Sequence, residues 1–502
     1  MSKLLLAHDL GTSGNKATLF STDGKLIKSL VIPYPTHFFN SNWSEQNPDD
    51  WWKAVCESTK QLLQDINPDD VLAMSFSGQM MGCLCVDKNG VPLRNAIIWA
   101  DQRSEDQANF IRQKIDDHHF YRITGHRISS SYSLEKLLWI KDHEPDIYGK
   151  TYKVLNAKDY IVYKLTGQFM TDYSDASSTN AFDLNTFTWS DEIIHASGID
   201  ADLLPDVKPS TFVVDQLSST IAKELGLSSK TAVVLGAGDG VCSAVGAGSI
   251  EEGKSYSYLG SSAWIAVTSK QPFYDEEMRT FNWAHAVPGY VTPCGTMQAA
   301  GNSYSWLKNE ICYHEKDLAK QSNKSAYGLM NDLIASSSIG SNGLIFLPYL
   351  LGERSPRWNP KSKGSFIGVK MEHKRADFIR SVIEGIFFNM DIILKILQNH
   401  VSFQELTVIG GLAQGAIQRK IMADIYGLDI FKLKHLEEAT SMGAAVIAGV
   451  GVGSFKDFHS INRFIDIENV QKPDPANVKE YNLIKPVFDE CYQQLVDIFP
   501  KL

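Results

Sequence analysis

Short apolar runs, each closed by a cluster of glycines and small polar residues, set the pattern of the chain. Residues 4–9 form one such run, Gly11-Thr12-Ser13-Gly14 interrupts it, and residues 15–21 resume it. Thr22-Asp23-Gly24-Lys25 then turns into a third run. This spacing predicts an antiparallel meander with a polar, glycine-rich first turn. Asn47-Pro48-Asp49-Asp50 opens a helix, with Asn as cap, Pro at the first position and acids in the first turn. Trp52, Val55, Cys56, Leu62, Leu63 and Ile66 recur at helical spacing and form its packing face. Residues 71–76 predict a strand ending in Ser77-Gly78-Gln79-Met80-Met81-Gly82, and residues 96–100 predict another ending in Trp99-Ala100-Asp101-Gln102-Arg103. Helices are expected over 104–116, 134–142 and 157–166. Residues 174–179 read as a polar loop at the domain surface or the rim of a cleft, and 205–216 as irregular.

Near the midpoint, residues 233–248 run from an apolar stretch into glycines and small residues, with Asp239 their only charge. This predicts a buried strand that delivers one carboxylate to a close-packed turn before a helix. Residues 254–259, the turn Gly260-Ser261-Ser262 and residues 263–268 then repeat the strand–turn–strand plan of the N-terminus. One copy per half suggests an internal duplication, with two anion nests facing each other across a cleft and Asp239 at its floor. Further on, residues 344–351 are apolar. A long helix from Asp377 carries Phe378, Ile379, Val382, Ile383, Ile386, Phe387 and Met390 on its core side. Residues 406–409 form a strand running into Gly410-Gly411-Leu412-Ala413-Gln414-Gly415, and a helix follows from Ala416. Glycines between a strand and a helix N-terminus suit contact with a nucleotide. A strand at 430–433 and an Ala- and Gly-rich helix at 440–448 come last, and the tail from Phe455 reads as surface elements.

Composition narrows the class. At 502 residues the chain is too long for one ordinary core, so two large domains are expected, 1–246 and 247–502. A net charge of −10 argues against nucleic acid as partner. No run approaches the roughly 18 apolar residues of a membrane span. The N-terminal apolar run is too short for a signal peptide. The 7 cysteines are widely spaced with no CxxC pair, which favours free thiols in a reducing cytoplasm over metal or disulfide sites.

The chemistry follows by elimination. Val241 breaks the dinucleotide fingerprint after Gly236 and Gly238, which disfavours hydride transfer. There is no Gly-x-x-x-x-Gly-Lys phosphate loop, no His-Glu-x-x-His metal motif and no nucleophile elbow. Asp9 beside an anion nest calls for a cation between them, read as Mg²⁺. Taken alone, that motif is better read as a hairpin turn with a capping Asp. Gln79, beyond the end of a strand, is equally a ligand for a polyol hydroxyl and a turn amide. Arg103 is equally a structural partner of Asp101 and a substrate group. Asp239 is a candidate general base. Two nests, Asp9, Asp239 and the Gly410 loop together suit phosphoryl transfer from ATP to a hydroxyl.

These residues resemble the FGGY family of carbohydrate kinases, over nearly the whole chain. Gly364-Ser365-Phe366-Ile367-Gly368-Val369, Asp377-Phe378 and Ser381-Val382-Ile383-Glu384 are similar to the family's C-terminal signature. Asp9-Leu10-Gly11-Thr12-Ser13-Gly14-Asn15-Lys16 resembles its first phosphate motif, Gly260-Ser261-Ser262 its second, and Gly410-Gly411-Leu412-Ala413-Gln414 its adenosine motif. The resemblance implies an α/β fold of two actin-like, hexokinase-like (ribonuclease H-like) ATPase domains around a deep cleft, with sugar on the N-terminal side and nucleotide on the C-terminal side. It implies Asp239 as catalytic base, Asp9 for Mg²⁺, and Lys16 on the transferring phosphate. Gln79, Met80, Met81 and Gly240 fall at the sugar. Gly78-Gln79-Met80-Met81-Gly82 and Trp43-Ser44-Glu45-Gln46-Asn47-Pro48 resemble the xylulose-phosphorylating branch, although Met81 stands for a histidine and Gly240 for an asparagine there. Gly238-Asp239-Gly240-Val241, the segment Trp99 to Ser104 and Arg357-Trp358-Asn359-Pro360 resemble the gluconate branch. Xylulose is placed ahead of gluconate. The expected partners are ATP and a small sugar, with no nucleic acid and no membrane, and a homodimer stays open. A nucleotide-binding scaffold without catalysis and a plain ATPase are the rivals from other classes.

Overall fold

The computed structural model describes residues 3–502. The opening meander forms as the pattern predicts: β1 (Leu4–Leu10), β2 (Gly14–Ser21) and β3 (Leu26–Pro33) pair antiparallel in chain order. Strand β4 (Val71–Gly78) lies parallel to β1. Strands β5 (Val213–Gln216), β6 (Ala232–Val234) and β7 (Ala237–Gly238) complete a seven-stranded sheet in the order β5-β6-β4-β1-β2-β3, with β7 also on β4. Both faces of β1 and β4 are covered, which is why these strands read as continuous apolar runs rather than alternating ones.

A second seven-stranded sheet repeats the plan. Strands β8 (Ser255–Leu259), β9 (Ala263–Val267), β10 (Phe281–Ala284), β11 (Val291–Met297), β12 (Glu405–Ile409), β13 (Asp429–Leu433) and β14 (Ile467–Gln471) run in the order β10-β11-β9-β8-β12-β13-β14. In each half a hairpin (β1–β2, β8–β9) is extended by two parallel strands (β4 and β6, β12 and β13) and closed by an antiparallel edge strand (β5, β14). The duplication suggested by two short turns therefore extends to whole sheets.

The helices cover these sheets and join them. Helix α1 (Pro48–Leu62) starts as its sequence dictates, with the Asn47 side chain accepting from the Asp49 amide. It buries Trp51, Val55 and Leu62, each such side chain stabilising by roughly 1.5–3 kcal/mol. Next come α2 (Ala157–Thr166), α3 (Tyr173–Ser177), α4 (Asp239–Gly246), α5 (Gly301–Glu310), α6 (Arg375–Gln398), α7 (Ala416–Tyr426) and α8 (Ala439–Gly451). Helix α6 begins at Arg375 rather than Asp377, because the Asp377 carboxylate works inside the first turn, accepting from the Lys374 amide at 2.8 Å. Helices α4 and α8 hold equivalent places in the two halves and cross each other where their residues are smallest. A Cβ on Gly246 would overlap the Ala439 carbonyl, and one on Gly443 the Cys242 carbonyl. Their hydroxyls Ser243 and Thr440 meet at 2.9 Å. Helix α8 also lies on β1 and β4, so the second half packs directly against the first sheet.

Three expectations are corrected. Residues 205–216 are not irregular: Asp206–Lys208 pairs with Met170–Asp172, and Val213–Gln216 is the edge strand β5. The strand expected over 96–100 is only Ala96–Ile97, because Trp99 and Ala100 already lie in a turn, from which Trp99 Nε1 donates to Thr12 Oγ1 at 2.9 Å. The polar stretch 174–179 is neither surface nor rim. It holds most of α3, and Ser174, Asp175, Ser177 and Ser178 are fully buried. Among the described residues no helix is long and apolar enough to cross a membrane.

Candidate active site

The two acids singled out from sequence meet at one end of the first sheet. Asp9 on β1 pairs in register with Ser77 on β4, and β7 pairs with Ser77 and Gly78, so Asp239, the next residue, emerges beside them. Ser77 Oγ donates to Asp9 Oδ1 at 2.8 Å. Burial raises the Asp9 pKa, against the pull of Ser77 and Lys16. Asp239 opens α4 and accepts from the Gly240 amide at 2.7 Å. Burial, followed by the charge of Asp9, lifts its pKa to about 7. A carboxylate held there can take a proton near neutral pH.

The two polar turns flank this pair. In the first, the Thr12 carbonyl accepts from Thr36 Oγ1 (2.7 Å) and Gln46 Nε2 (2.6 Å), and Thr12 Oγ1 accepts from Trp99 Nε1 (2.9 Å). In the second, the carbonyls of Gly260 and Ser261 accept from Gly301, Ala300 and Asn302, each at 3.0 Å, where α5 starts. Their carbonyls are tied back, and among the described residues the amides of Thr12, Ser13, Ser261 and Ser262 have no partner. That is the polarity of an anion nest. The two turns belong to different halves, yet they share an environment. The Tyr258 hydroxyl, beside the second turn, is pushed up to about 12 by burial and then by Asp9, Asp239 and Glu437.

The glycine-rich loop 410–414 lies at the end of β12, next to β8 and the second turn. Gly410 has φ 90°, and a Cβ there would sit 2.7 Å from the Leu259 carbonyl, so only glycine fits. Gly411 faces open space, and Arg419 Nη1 clamps the carbonyls of Ala413 (2.7 Å) and Gln414 (2.8 Å). Gln414 Nε2 reaches Glu437 Oε1 at 3.4 Å. The Lys16 ammonium crosses from the first half to the Glu437 carbonyl at 2.6 Å. Glu437 was missed in sequence. Its only signal was its place ahead of the small-residue helix α8, as Gly238 stands ahead of α4.

On the side expected to take the sugar, Gln79 is buried rather than a surface amide. Its Nε2 donates to Gln46 Oε1 at 2.6 Å, and its Oε1 has no partner among the described residues. Met80 packs against Gly238, where a Cβ would lie 2.5 Å from the Met80 side chain. Met81 has φ 62°, uncommon for a residue with a side chain. It is held by Ser178 Oγ on its amide (3.2 Å) and Lys136 Nζ on its carbonyl (2.8 Å). The two arginines separate cleanly. Arg103 is locked by Asp101 (2.7 Å) and Glu45 (2.8 Å) under the Trp43 ring, a structural role. Arg354 lies 4.0 Å from the Met81 sulfur, near the Phe281 and Trp358 rings, and among the described residues it forms no salt bridge. At Gly240 a Cβ would stand 2.5 Å from the Trp283 ring, whose Nε1 has no partner among the described residues. Trp283 carried no sequence signal, being one of two aromatics in the four-residue strand β10.

Among the described residues no cluster of three or more His, Cys, Asp or Glu could hold a metal by itself, and all 7 cysteines are free.

Known proteins bear on this geometry. The model described as the FGGY family of carbohydrate kinases, N-terminal domain, matches residues 4–246, and its C-terminal counterpart matches residues 255–452. A xylulose kinase of Staphylococcus epidermidis is 36% identical over 501 residues, covering 98% of this chain and 97% of its own. A gluconokinase of Bacillus licheniformis is 31% identical over 490 residues, covering 97% and 95%. The solved structure of a ligand-bound xylulose kinase from Lactobacillus acidophilus superposes with a TM-score of 0.92 at 27% identity, covering 99% of each chain.

Proposed function

The chain belongs to the FGGY family of carbohydrate kinases, and from that premise we propose that it phosphorylates D-xylulose with ATP. The observation that carries the mechanism is Asp239, set beside Ser77 and Asp9 at the ends of β1, β4 and β7, where burial and the charge of Asp9 lift it to about 7. It accepts the proton of the attacking sugar hydroxyl. Backbone amides of the two turns, the hydroxyls of Thr12, Ser13 and Ser261, and Lys16 hold the phosphates and stabilise charge on the transferred group. Lys16 leaves the Glu437 carbonyl to do so. Loop 410–414 takes the adenosine. The first half, 1–246, carries the sugar and the second, 247–502, the nucleotide. Closing the two around the substrates excludes water and aligns the hydroxyl.

Asp9 suits Mg²⁺. One oxygen is fixed by Ser77, a second carboxylate stands nearby, and no all-protein cage exists among the described residues. Mg²⁺ favours such sites, where one or two carboxylates and phosphates share it. Bound there, it would neutralise phosphate charge. The free and largely buried thiols fit a reducing cytoplasm. A net charge of −10 argues against nucleic acid as a partner.

Xylulose comes first because several relatives with that printed name, including the one at 36% identity, match the whole chain. Arg354 favours gluconate as the second reading. A buried guanidinium without a carboxylate partner is costly unless an anion completes it. An ADP-release assay over xylulose, ribulose, gluconate, glycerol and rhamnulose decides. Release with xylulose supports the first reading, and release with gluconate alone reverses the order. Sugar-independent release would indicate a plain ATPase, and ATP binding without turnover a scaffold.

A further inference from the structure

The buried helix α3 and its C-cap residue Ser178 carry three hydroxyls, those of Ser174, Ser177 and Ser178, that take part in no chemistry assigned above, and each accepts a hydrogen bond from a different wall of the site. Ser174 Oγ accepts from the Gly238 amide at 2.8 Å, immediately before Asp239. Ser177 Oγ accepts from the Ala284 amide at 3.1 Å, immediately after Trp283, whose ring backs Gly240. Ser178 Oγ accepts from the Met81 amide at 3.2 Å in the sugar loop. The candidate base, the wall behind it and the sugar loop come from three separate stretches of chain, and one short helix binds a backbone amide of each.

The helix is itself anchored from below. Asp172 caps it, accepting from the amides of Ser174 (3.0 Å) and Asp175 (3.2 Å) and from the hydroxyls of Ser174 (2.6 Å) and Ser210 (2.7 Å). Lys158 Nζ sits 2.6 Å from Asp159, 3.0 Å from Asp172 and 3.1 Å from Asp175, and all four side chains are buried. Burial pulls the Lys158 ammonium down, but the three carboxylates outweigh it and hold its pKa well above the ordinary value. Burial pushes Asp175 far up. The same lysine packs against Gly78, where a Cβ would lie 3.0 Å away, so the anchor also touches the end of β4 beside Ser77.

We propose that α3 is a positioning element: Ser174 sets Asp239, Ser178 sets Met81, and Ser177 sets the Trp283 wall, from a common base at Lys158 and Asp172. Ser174 donates its proton to Asp172, so its lone pair is fixed on the Gly238 amide. A generic hydroxyl filling space would have no such constraint. The inference rests on the kinase reading for its kinetic half only.

The test is amide hydrogen exchange by mass spectrometry on Ser174→Ala, Ser177→Ala and Ser178→Ala, with sugar kinetics on the same preparations. Each variant should speed exchange in its own partner peptide: 233–246 for Ser174→Ala, 281–291 for Ser177→Ala, and 76–84 for Ser178→Ala. Ser174→Ala should lower kcat roughly 10- to 100-fold with sugar KM little changed, as a misplaced base does. Ser174→Thr, which keeps a hydroxyl, should restore most of it. Ser178→Ala should raise sugar KM more than it lowers kcat. Faster exchange everywhere in all three variants, or none in the partner peptides, overturns the proposal. So does one common kinetic defect. If the wild type phosphorylates no sugar, the kinase reading falls, and the exchange pattern still decides whether α3 holds the three walls.

Discussion

The Trp283 ring occupies the space that a side chain at position 240 would need: a Cβ on Gly240 would stand 2.5 Å from it. An asparagine beside the candidate base is therefore excluded here by packing. Gly240→Asn should destabilise by about 1–3 kcal/mol, the usual penalty of overpacking. Combining it with Trp283→Ala should recover part of that loss, because the two changes share one volume. Denaturant unfolding of the two single variants and the double variant measures the coupling. Additive losses would mean that the ring and the glycine do not compete.

Asp239 should impose an acid limb on kcat/KM near pH 7, since the base works only when deprotonated and its pKa is about 7. Asp239→Asn should lower kcat by roughly 10²–10⁴-fold. The same group acts on stability with the opposite sense. The folded pKa lies above the ordinary carboxylate value of 3.8, so the folded chain holds the proton more tightly. Stability from this group falls as pH rises from about 4 to about 7 and stays low above. Asp239→Asn should thus raise Tm relative to wild type more at pH 8 than at pH 4. A pH-independent difference would contradict the burial argument.

The two arginines differ in what they can do for an anionic substrate. Arg103 is neutralised by Asp101 and Glu45, whereas Arg354 lies among the Met81 sulfur, aromatic rings and the Tyr132 hydroxyl, with no salt bridge among the described residues. If gluconate is turned over, Arg354→Met should raise its KM by about 10-fold or more, the scale of a charge-assisted hydrogen bond. The KM for a neutral ketose should change much less. Equal effects on both sugars would show that Arg354 shapes the pocket without reading charge.

Much of the candidate site was legible in the sequence because its parts sit at strand ends, where apolar runs stop and glycines begin. Asp239, the second turn and the Gly410 loop stand out in this way, whereas Asp9 and its turn read alone as a capped hairpin and gain a role only beside the others. What could not be read were the contacts made across the chain. Lys16 meeting Glu437, Trp283 filling the space at Gly240 and Arg354 reaching Met81 join residues far apart in sequence. The stretch 174–179 misled for a related reason. Its serines and aspartate suit an exposed loop by composition, and only burial around Lys158 gives them partners. Buried partners, Lys158 and Asp172 and the amides of Gly238, Met81 and Ala284, thus reversed the usual reading of a polar segment.

The crossing of α4 and α8 links that site to the rest of the molecule. Helix α4 begins at Asp239, and α8 begins just after Glu437, so on the proposed reading their separation sets the distance between base and phosphate donor. A Cβ at Gly443 would overlap the Cys242 carbonyl, and neither backbone can yield without moving its helix. Gly443→Ala should cost about 1–3 kcal/mol or more, and a shift near 1 Å should lower kcat by about 100-fold. Gly149→Ala is the control. Its Cβ meets nothing within 4 Å, in the helix Pro145–Lys150, so it should stabilise by roughly 0.5–1 kcal/mol. Thermal unfolding with parallel kinetics checks both. If Gly443→Ala kept wild-type Tm and kcat, the close approach of the two helices would not be what fixes the cleft.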